Sequence, residues 1–219
     1  MVNGTLNSIT AWLKSSKLNR LKRQLKDPNY QFLFDVEPGV FVCFDCETTG
    51  LDKKNDRIIT LSAIKIMGNE IQTSQSLNLV IKQQEAISAD SIAIHQIRNL
   101  DVENSETLYE DEFEAIKNFL HFIKGATLVG YYLEFDVAMV NKVIKPQLGI
   151  RLPNPQIEVS GMYYEHAMQK YRRSCIEPNI DLGFDHILKK LNIPNIGQHD
   201  AFSDALMTAL IFVKLQQDS

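Results

Sequence analysis

Val40-Phe41-Val42-Cys43-Phe44-Asp45-Cys46-Glu47-Thr48-Thr49-Gly50 decides how the rest of this chain is read. The apolar run Val40 to Phe44 predicts a buried strand over residues 40–46. Side chains alternate across a strand, so Asp45 and Glu47 point to one face and Cys46 to the other. Two carboxylates side by side at the end of a core strand repel each other and lose hydration. A positive group between them relieves both costs, and a divalent cation is the usual one. The plainer reading is a surface Asp/Glu pair at a strand end, and this segment alone leaves both open.

Outward from that strand, residues 57–67 alternate and are rich in Ile, Gly68-Asn69 is a turn signal, and residues 70–81 follow as a third strand. This predicts an antiparallel hairpin. From Ser88 the pattern turns helical, and Phe113, Ile116, Leu120 and Ile123 place one apolar stripe on a helix over 110–124, stopped by Gly125. Residues 127–132 read as a short buried strand. Residues 136–145 read as a helix with Val137, Val140 and Ile144 on one face, closed by Pro146. A last strand over 156–159 and helices over 181–191 and 200–217 complete the chain. Strands with a hairpin, then alternating helices and strands, suggest a mixed α/β sheet covered on both faces. No internal repeat or low-complexity segment interrupts the pattern.

With 219 residues, 44% of them hydrophobic and 23% charged, the composition is that of a globular protein with one good core. No stretch approaches the roughly 20 apolar residues of a membrane helix, and no basic segment leads into an apolar signal region. Cys43, Cys46 and Cys175 are an odd count, and the first two lie on opposite faces of one strand, so a reduced, cytoplasmic setting is expected. As a metal pair they are weak, because no second pair follows. The net charge of −4 is uneven. Residues 1–26 hold six basic residues and no acidic one, leaving 17 basic against 27 acidic in the remainder, a net of −10 there. Leu6, Ile9 and Leu13, then Leu18, Leu21 and Leu25, make residues 5–26 an amphipathic helix ended by Asp27-Pro28-Asn29. It is either a basic arm that touches nucleic acid or a helix packed on its own domain with solvated lysines.

Two further segments carry chemistry. Phe135-Asp136 follows the strand over 127–132, where Asp136 on its own would be a helix N-cap. His199-Asp200-Ala201-Phe202-Ser203-Asp204-Ala205 opens the last helix. Asp200 suits the cap, which leaves Asp204 beside the buried stripe in need of a partner. His199 alone would be an ordinary surface or core histidine. Together, four carboxylates at strand ends and helix faces can converge on one cleft. An all-oxygen site of this kind selects Mg²⁺ or Mn²⁺. Two such ions can clamp the attacking and leaving oxygens of a phosphodiester, with a water they activate as nucleophile. A neutral histidine nearby can take the proton. No nucleophilic Ser or Cys is required.

Asp45-x-Glu47-Thr48-Thr49-Gly50-Leu51, Phe135-Asp136 and His199-x5-Asp204 in this order resemble the DEDD 3′–5′ exonuclease superfamily. The histidine five residues before the last aspartate matches the DEDDh subgroup, similar to the DNA polymerase III epsilon subunit and RNase T. The resemblance runs from Phe41 to Val213. It implies a ribonuclease H-like fold, a mixed five-stranded sheet with its second strand antiparallel, flanked by helices. It divides the chain into a basic amphipathic arm over 1–38 and an exonuclease domain over 39–219.

The resemblance also implies roles. Asp45 would bridge two Mg²⁺ or Mn²⁺ ions, Glu47 and Asp204 would complete the first site, Asp136 would hold the second, and His199 would be the general base. Thr48, Thr49, Gly50 and Leu51 would line the pocket for the 3′-terminal nucleotide. His95, in Ile94-His95-Gln96-Ile97, matches an Ile-His-x-Ile element near that nucleotide. Phe135 would either pack under the base or fill the core, and the core is the favoured reading. The implied substrate is a nucleic-acid 3′ end, single-stranded DNA favoured, and the product a nucleoside monophosphate, with no membrane partner. The chain ends a few residues past its last helix, which predicts a stand-alone epsilon-like exonuclease. The family's middle motif carries His-Asn where this chain has Tyr131-Tyr132, a change that bears on substrate positioning and removes no metal ligand. An RNA-trimming exoribonuclease is the alternative within the enzyme class. A catalytically weak nucleic-acid- or partner-binding module is the alternative outside it.

Overall fold

Strand β1, Val36–Thr48, runs through the middle of the sheet that organises this protein. The structure, a computed structural model, describes residues 16, 18–83, 87, 91–93, 97–105, 107–171, 179–197 and 199–218. The other strands are β2 (Ile58–Met67), β3 (Glu70–Ile81), β4 (Leu108–Tyr109), β5 (Gly125–Gly130) and β6 (Gln156–Glu158). The helices are α1 (Asn99–Glu103), α2 (Glu112–Phe122), α3 (Leu133–Leu148), α4 (Val159–Tyr171), α5 (Phe184–Lys190) and α6 (Ala201–Gln217).

The strand order is β4-β3-β2-β1-β5-β6. β2 pairs antiparallel with both β1 and β3, while β1/β5, β5/β6 and β3/β4 pair parallel. The second strand is thus the antiparallel one, as expected. The sheet has six strands rather than five because the two-residue β4 adds to the outer edge of β3.

Period-two alternation in β1 feeds two cores. Val42, Phe44 and Cys46 enter the one covered by α2 and α3, where Phe44 meets Phe119 with ring centroids 4.8 Å apart. Phe41 and Cys43 enter the other, covered by α4, α5 and α6, where Phe41 meets Phe212 edge-on at 4.8 Å. One strand therefore fixes a helix layer on each face of the sheet.

Of the two readings of the basic N-terminal helix, the described part takes the packed one. Residues 18–24 are helical, and Leu18, Leu21 and Leu25 pack against the first core. A 3-10 helix, Pro28–Phe34, then buries Tyr30, Leu33 and Phe34 in it. Leu6, Ile9 and Leu13 lie outside the described residues.

The predicted stop at Pro146 is corrected. α3 runs through Pro146 to Leu148. A proline near the end of a helix removes one hydrogen bond, and the helix ends instead at Gly149, whose φ of +75° is the left-handed region. A Cβ at Gly149 would lie 2.6 Å from the backbone oxygen of Gln24. Gly149→Ala should therefore lower stability by about 2 kcal/mol, from left-handed strain plus the clash. In urea unfolding the midpoint should fall while the slope stays the same; an unchanged midpoint would show that the N-terminal segment yields freely.

Candidate active site

β1 outruns its parallel neighbour. Pairing with β5 ends at Cys43↔Val129, while pairing with β2 continues through Asp45↔Ser62 and Glu47↔Thr60. The last residues of β1 thus lack a strand on one side, and their side chains border open space. Asp45 and Glu47 share a face there, as the alternation requires. α6, held on the same face by Met207, Ile211 and Phe212, brings Asp204 to them. Carboxylate oxygens of Asp45, Glu47 and Asp204 all lie within 4.8 Å of one another. Asp200 is the N-cap, accepting from the Ser203 backbone N–H at 3.0 Å, and this leaves Asp204 for the cluster. Asp204 in turn accepts the His199 backbone N–H at 2.9 Å, tying down a residue whose φ is +64°.

Asp136 arrives from the opposite layer. It is four residues into α3 rather than at its cap, and it is buried. Its Oδ1 accepts the Cys46 backbone N–H at 3.1 Å, the donor that β5 leaves unpaired. Cys46 itself contributes its backbone to the site and its side chain to the core.

α3 begins after Tyr132, a non-glycine residue at φ +55° with no side-chain cap of its own. Glu158, at the end of β6, supplies the missing acceptor. It takes the backbone N–H groups of Tyr132 at 3.2 Å and Leu133 at 3.0 Å, and the Ser160 hydroxyl at 2.9 Å. A carboxylate at a helix N-terminus also suits the helix dipole. Glu158 positions the turn that carries Asp136, and sequence reading missed it because the contact spans 25 residues. A lone acidic residue closing a predicted strand was its only signal.

Asp45, Glu47, Asp136, Asp204 and His199 all line one cavity of about 690 Å³. Thr48, Gly50 and Leu51 line it too, with Leu51 82% exposed on its rim. Tyr131 and Tyr132 form the wall near α3. Thr49 turns into its own loop: its hydroxyl donates to Asp56 at 2.9 Å and accepts the Arg57 N–H at 3.0 Å. Gly50 is required there, since a Cβ would lie 2.6 Å from the Asp56 carboxylate. Phe135 is half-buried against the first core. His95 and Cys175 lie outside the described residues.

Crowding sets the electrostatics. Burial holds the Asp45 carboxyl well above the usual range, and the nearby Asp136, Glu47 and Asp204 push it the same way. Burial lifts Glu47 to about 7, with Asp204 and Asp200 adding to it. Asp136 rises to about 8 by burial, although the Cys46 N–H opposes the shift. Asp204 is raised by burial against the pull of the His199 N–H. An all-carboxylate donor set with affinities for protons this high fits a hard divalent cation.

A mixed sheet with an acidic cluster at the end of its central strand, and one more carboxylate from the helix layer on each face, defines a ribonuclease H-like α/β domain. Residues 42–212 match the exonuclease family of RNase T type, and the chain belongs to that family. It is 29% identical over 176 residues to the PolC-type DNA polymerase III of Thermotoga maritima, covering 80% of this chain and 12% of that one. It is 24% identical over 180 residues to the DNA polymerase III epsilon subunit of Aquifex aeolicus, covering 82% of each. The chain thus spans about an eighth of the length of the PolC-type relatives. Among solved structures, the E. coli exonuclease I complex with single-stranded DNA superimposes with a TM-score of 0.66 at 16% identity, over 83% of this chain and 41% of that one. Cell-death related nuclease 4 superimposes at 0.65 and 15% identity, over 82% and 64%. These two likenesses are of fold.

Raised carboxyl groups make the site pH-sensitive. Glu47 and Asp136 hold protons more tightly folded than unfolded, so without metal their contribution to stability is full below about pH 4 and fades as pH rises through about 7 and 8. Chelator-treated protein should melt lower at about pH 9 than at about pH 5, and Glu47→Gln and Asp136→Asn should each flatten that fall. Mn²⁺ should raise the melting temperature most at the alkaline end, where protons no longer compete. A pH-independent melting curve in chelator would contradict the crowded site.

Proposed function

We propose that this protein is a divalent-metal-dependent 3′–5′ exonuclease that hydrolyses the terminal phosphodiester of a DNA strand and releases nucleoside monophosphates. The observation that carries this reading is the gathering of Asp45, Glu47, Asp136, Asp204 and His199 around one open cavity. In this reading Asp45, Glu47 and Asp204 would hold one Mg²⁺ or Mn²⁺ ion, and Asp45 and Asp136 would hold a second. Ions held there would supply charge neutralisation at the scissile phosphate and a more acidic water. His199 would take the proton of the attacking water, from a backbone position fixed by its N–H to Asp204. Thr48 braces the loop by donating to the Gly50 carbonyl at 2.7 Å, which holds Leu51 at the cavity rim against the terminal nucleotide. A DNA substrate is supported by the DNA polymerase III relatives and by the single-stranded DNA bound to E. coli exonuclease I.

Wild-type protein with Mn²⁺ should shorten 3′-ended single-stranded DNA to mononucleotides. Asp45→Ala and Asp204→Ala should each lose more than about 100-fold in rate, beyond the cost of disturbing a metal ligand's support, with an unchanged circular dichroism spectrum. Parallel assays on single-stranded DNA, duplex DNA and RNA decide the substrate. Preference for RNA would make the protein an exoribonuclease, and wild-type protein that cuts none of the three would overturn the enzyme reading.

A further inference from the structure

A second cavity, of about 550 Å³, opens beside the active-site cavity and shares Lys53 and Glu134 with it. Its charged lining is Lys53, Lys142, Lys145 and Arg151 against Glu134. Four cations and one carboxylate stand together in a chain whose net charge is −4. Lys53 pairs with Glu134 at 3.0 Å, an exposed contact that breaks readily in water. Lys142 donates to the Asp56 backbone oxygen, which leaves its charge uncancelled. Lys145 and Arg151 are exposed.

The basic N-terminal segment borders the same place. Leu21 lines the cavity, and Lys26 bonds through its backbone N–H to the Leu148 carbonyl at 2.9 Å and through Nζ to the Pro146 carbonyl at 2.8 Å. Arg20, Lys22 and Arg23 are exposed on the same segment, with the Lys22 ammonium 5.5 Å from the Phe34 ring centroid. Lys142 and Lys145 carry this cationic surface along α3, away from the active-site cavity. From Asp136 to Lys145 is nine residues of helix, about 14 Å. That is the axial rise of about four nucleotides of a stacked strand.

We infer that this cavity is the path of the substrate strand's sugar-phosphate backbone, 5′ of the nucleotide being removed, with Lys53, Lys142, Lys145 and Arg151 as its phosphate contacts. The inference rests on the exonuclease reading. Cations spaced along a groove that leads to the reaction centre are the arrangement that tracks a single strand. The packed N-terminal segment forms part of the wall of this path through Leu21.

The test is the double substitution Lys145→Ala with Arg151→Ala, both exposed and both outside the catalytic cluster. On a long single-stranded oligonucleotide KM should rise about tenfold with kcat held, and the slope of log affinity against log salt should fall by about 1.4, for two lost contacts at about 0.7 each. Hydrolysis of an aryl ester of thymidine 5′-monophosphate, too short to reach the cavity, should be unchanged. Unchanged KM and salt slope would overturn the inference, as would an equal loss on the short ester. Fluorescence anisotropy of the oligonucleotide on an Asp45→Ala background reads the path without turnover. If wild type proves inactive but this binding still depends on Lys145 and Arg151, the enzyme reading fails while the strand contact at these two residues stands. Displacement of the oligonucleotide by polyglutamate at equal charge concentration would make the surface a dock for an acidic protein and overturn it.

Discussion

Like-charge crowding at the end of β1 is the constraint that shapes the rest of this structure. Asp45 meets Asp136, Glu47 and Asp204 in a buried setting, and each raises the energy of the others' ionised forms. Among the described residues no lysine or arginine lines this cavity except Lys53, which pairs with Glu134. The arrangement is therefore unfavourable to folding at neutral pH unless a cation joins it. It persists because the carboxylates stand on elements fixed by other forces. Burial of Phe41, Phe212, Met207 and Ile211 locks α6 to the sheet, and burial of Val137, Val140 and Ile144 locks α3. Strain at a functional site is carried by the packing around it.

The same division explains why the site spans both faces of the sheet. A strand can offer two carboxylates to one face, at Asp45 and Glu47, and its third must come from the layer packed on that face. Asp204 does this. A fourth can approach only where the strand edge is uncovered, and β1 provides that opening by extending past β5. The unpaired Cys46 N–H there needs an acceptor, and Asp136 meets the need at 3.1 Å. Backbone satisfaction and assembly of the acidic site are one interaction.

Much of this was legible because it rests on short-range pattern. Alternation from Val40 to Glu47 specified which residues face which core, and the Gly68-Asn69 turn specified the hairpin. The stripe of α2 and the Asp200 cap of α6 were equally local. The failures are places where a distant residue decides. Pro146 reads as a helix stop, yet α3 tolerates it within its last turn and ends where Gly149 meets Gln24. Glu158 carries no motif at all. Its function as a cap appears only when β6 is laid beside β5, which brings it to the start of α3.

Glu158 also bears on the chain's departure at Tyr131 and Tyr132. If the turn before α3 depended on those two side chains, replacing a His-Asn pair with tyrosines would move Asp136. The contacts show a different support. Backbone N–H groups of Tyr132 and Leu133 are held by Glu158, and Tyr131 packs on Phe184 at 4.8 Å while its hydroxyl donates to the Leu182 carbonyl. The left-handed φ of Tyr132 strains a bulky residue more than it would an asparagine or a glycine, and Glu158 maintains it from outside the turn. The ring of Tyr132 is 73% exposed on the cavity wall. At that place an amide would offer hydrogen bonds, whereas a tyrosine offers a flat apolar face suited to stacking on a base. The departure therefore falls on the cavity wall, and Asp136 keeps its place.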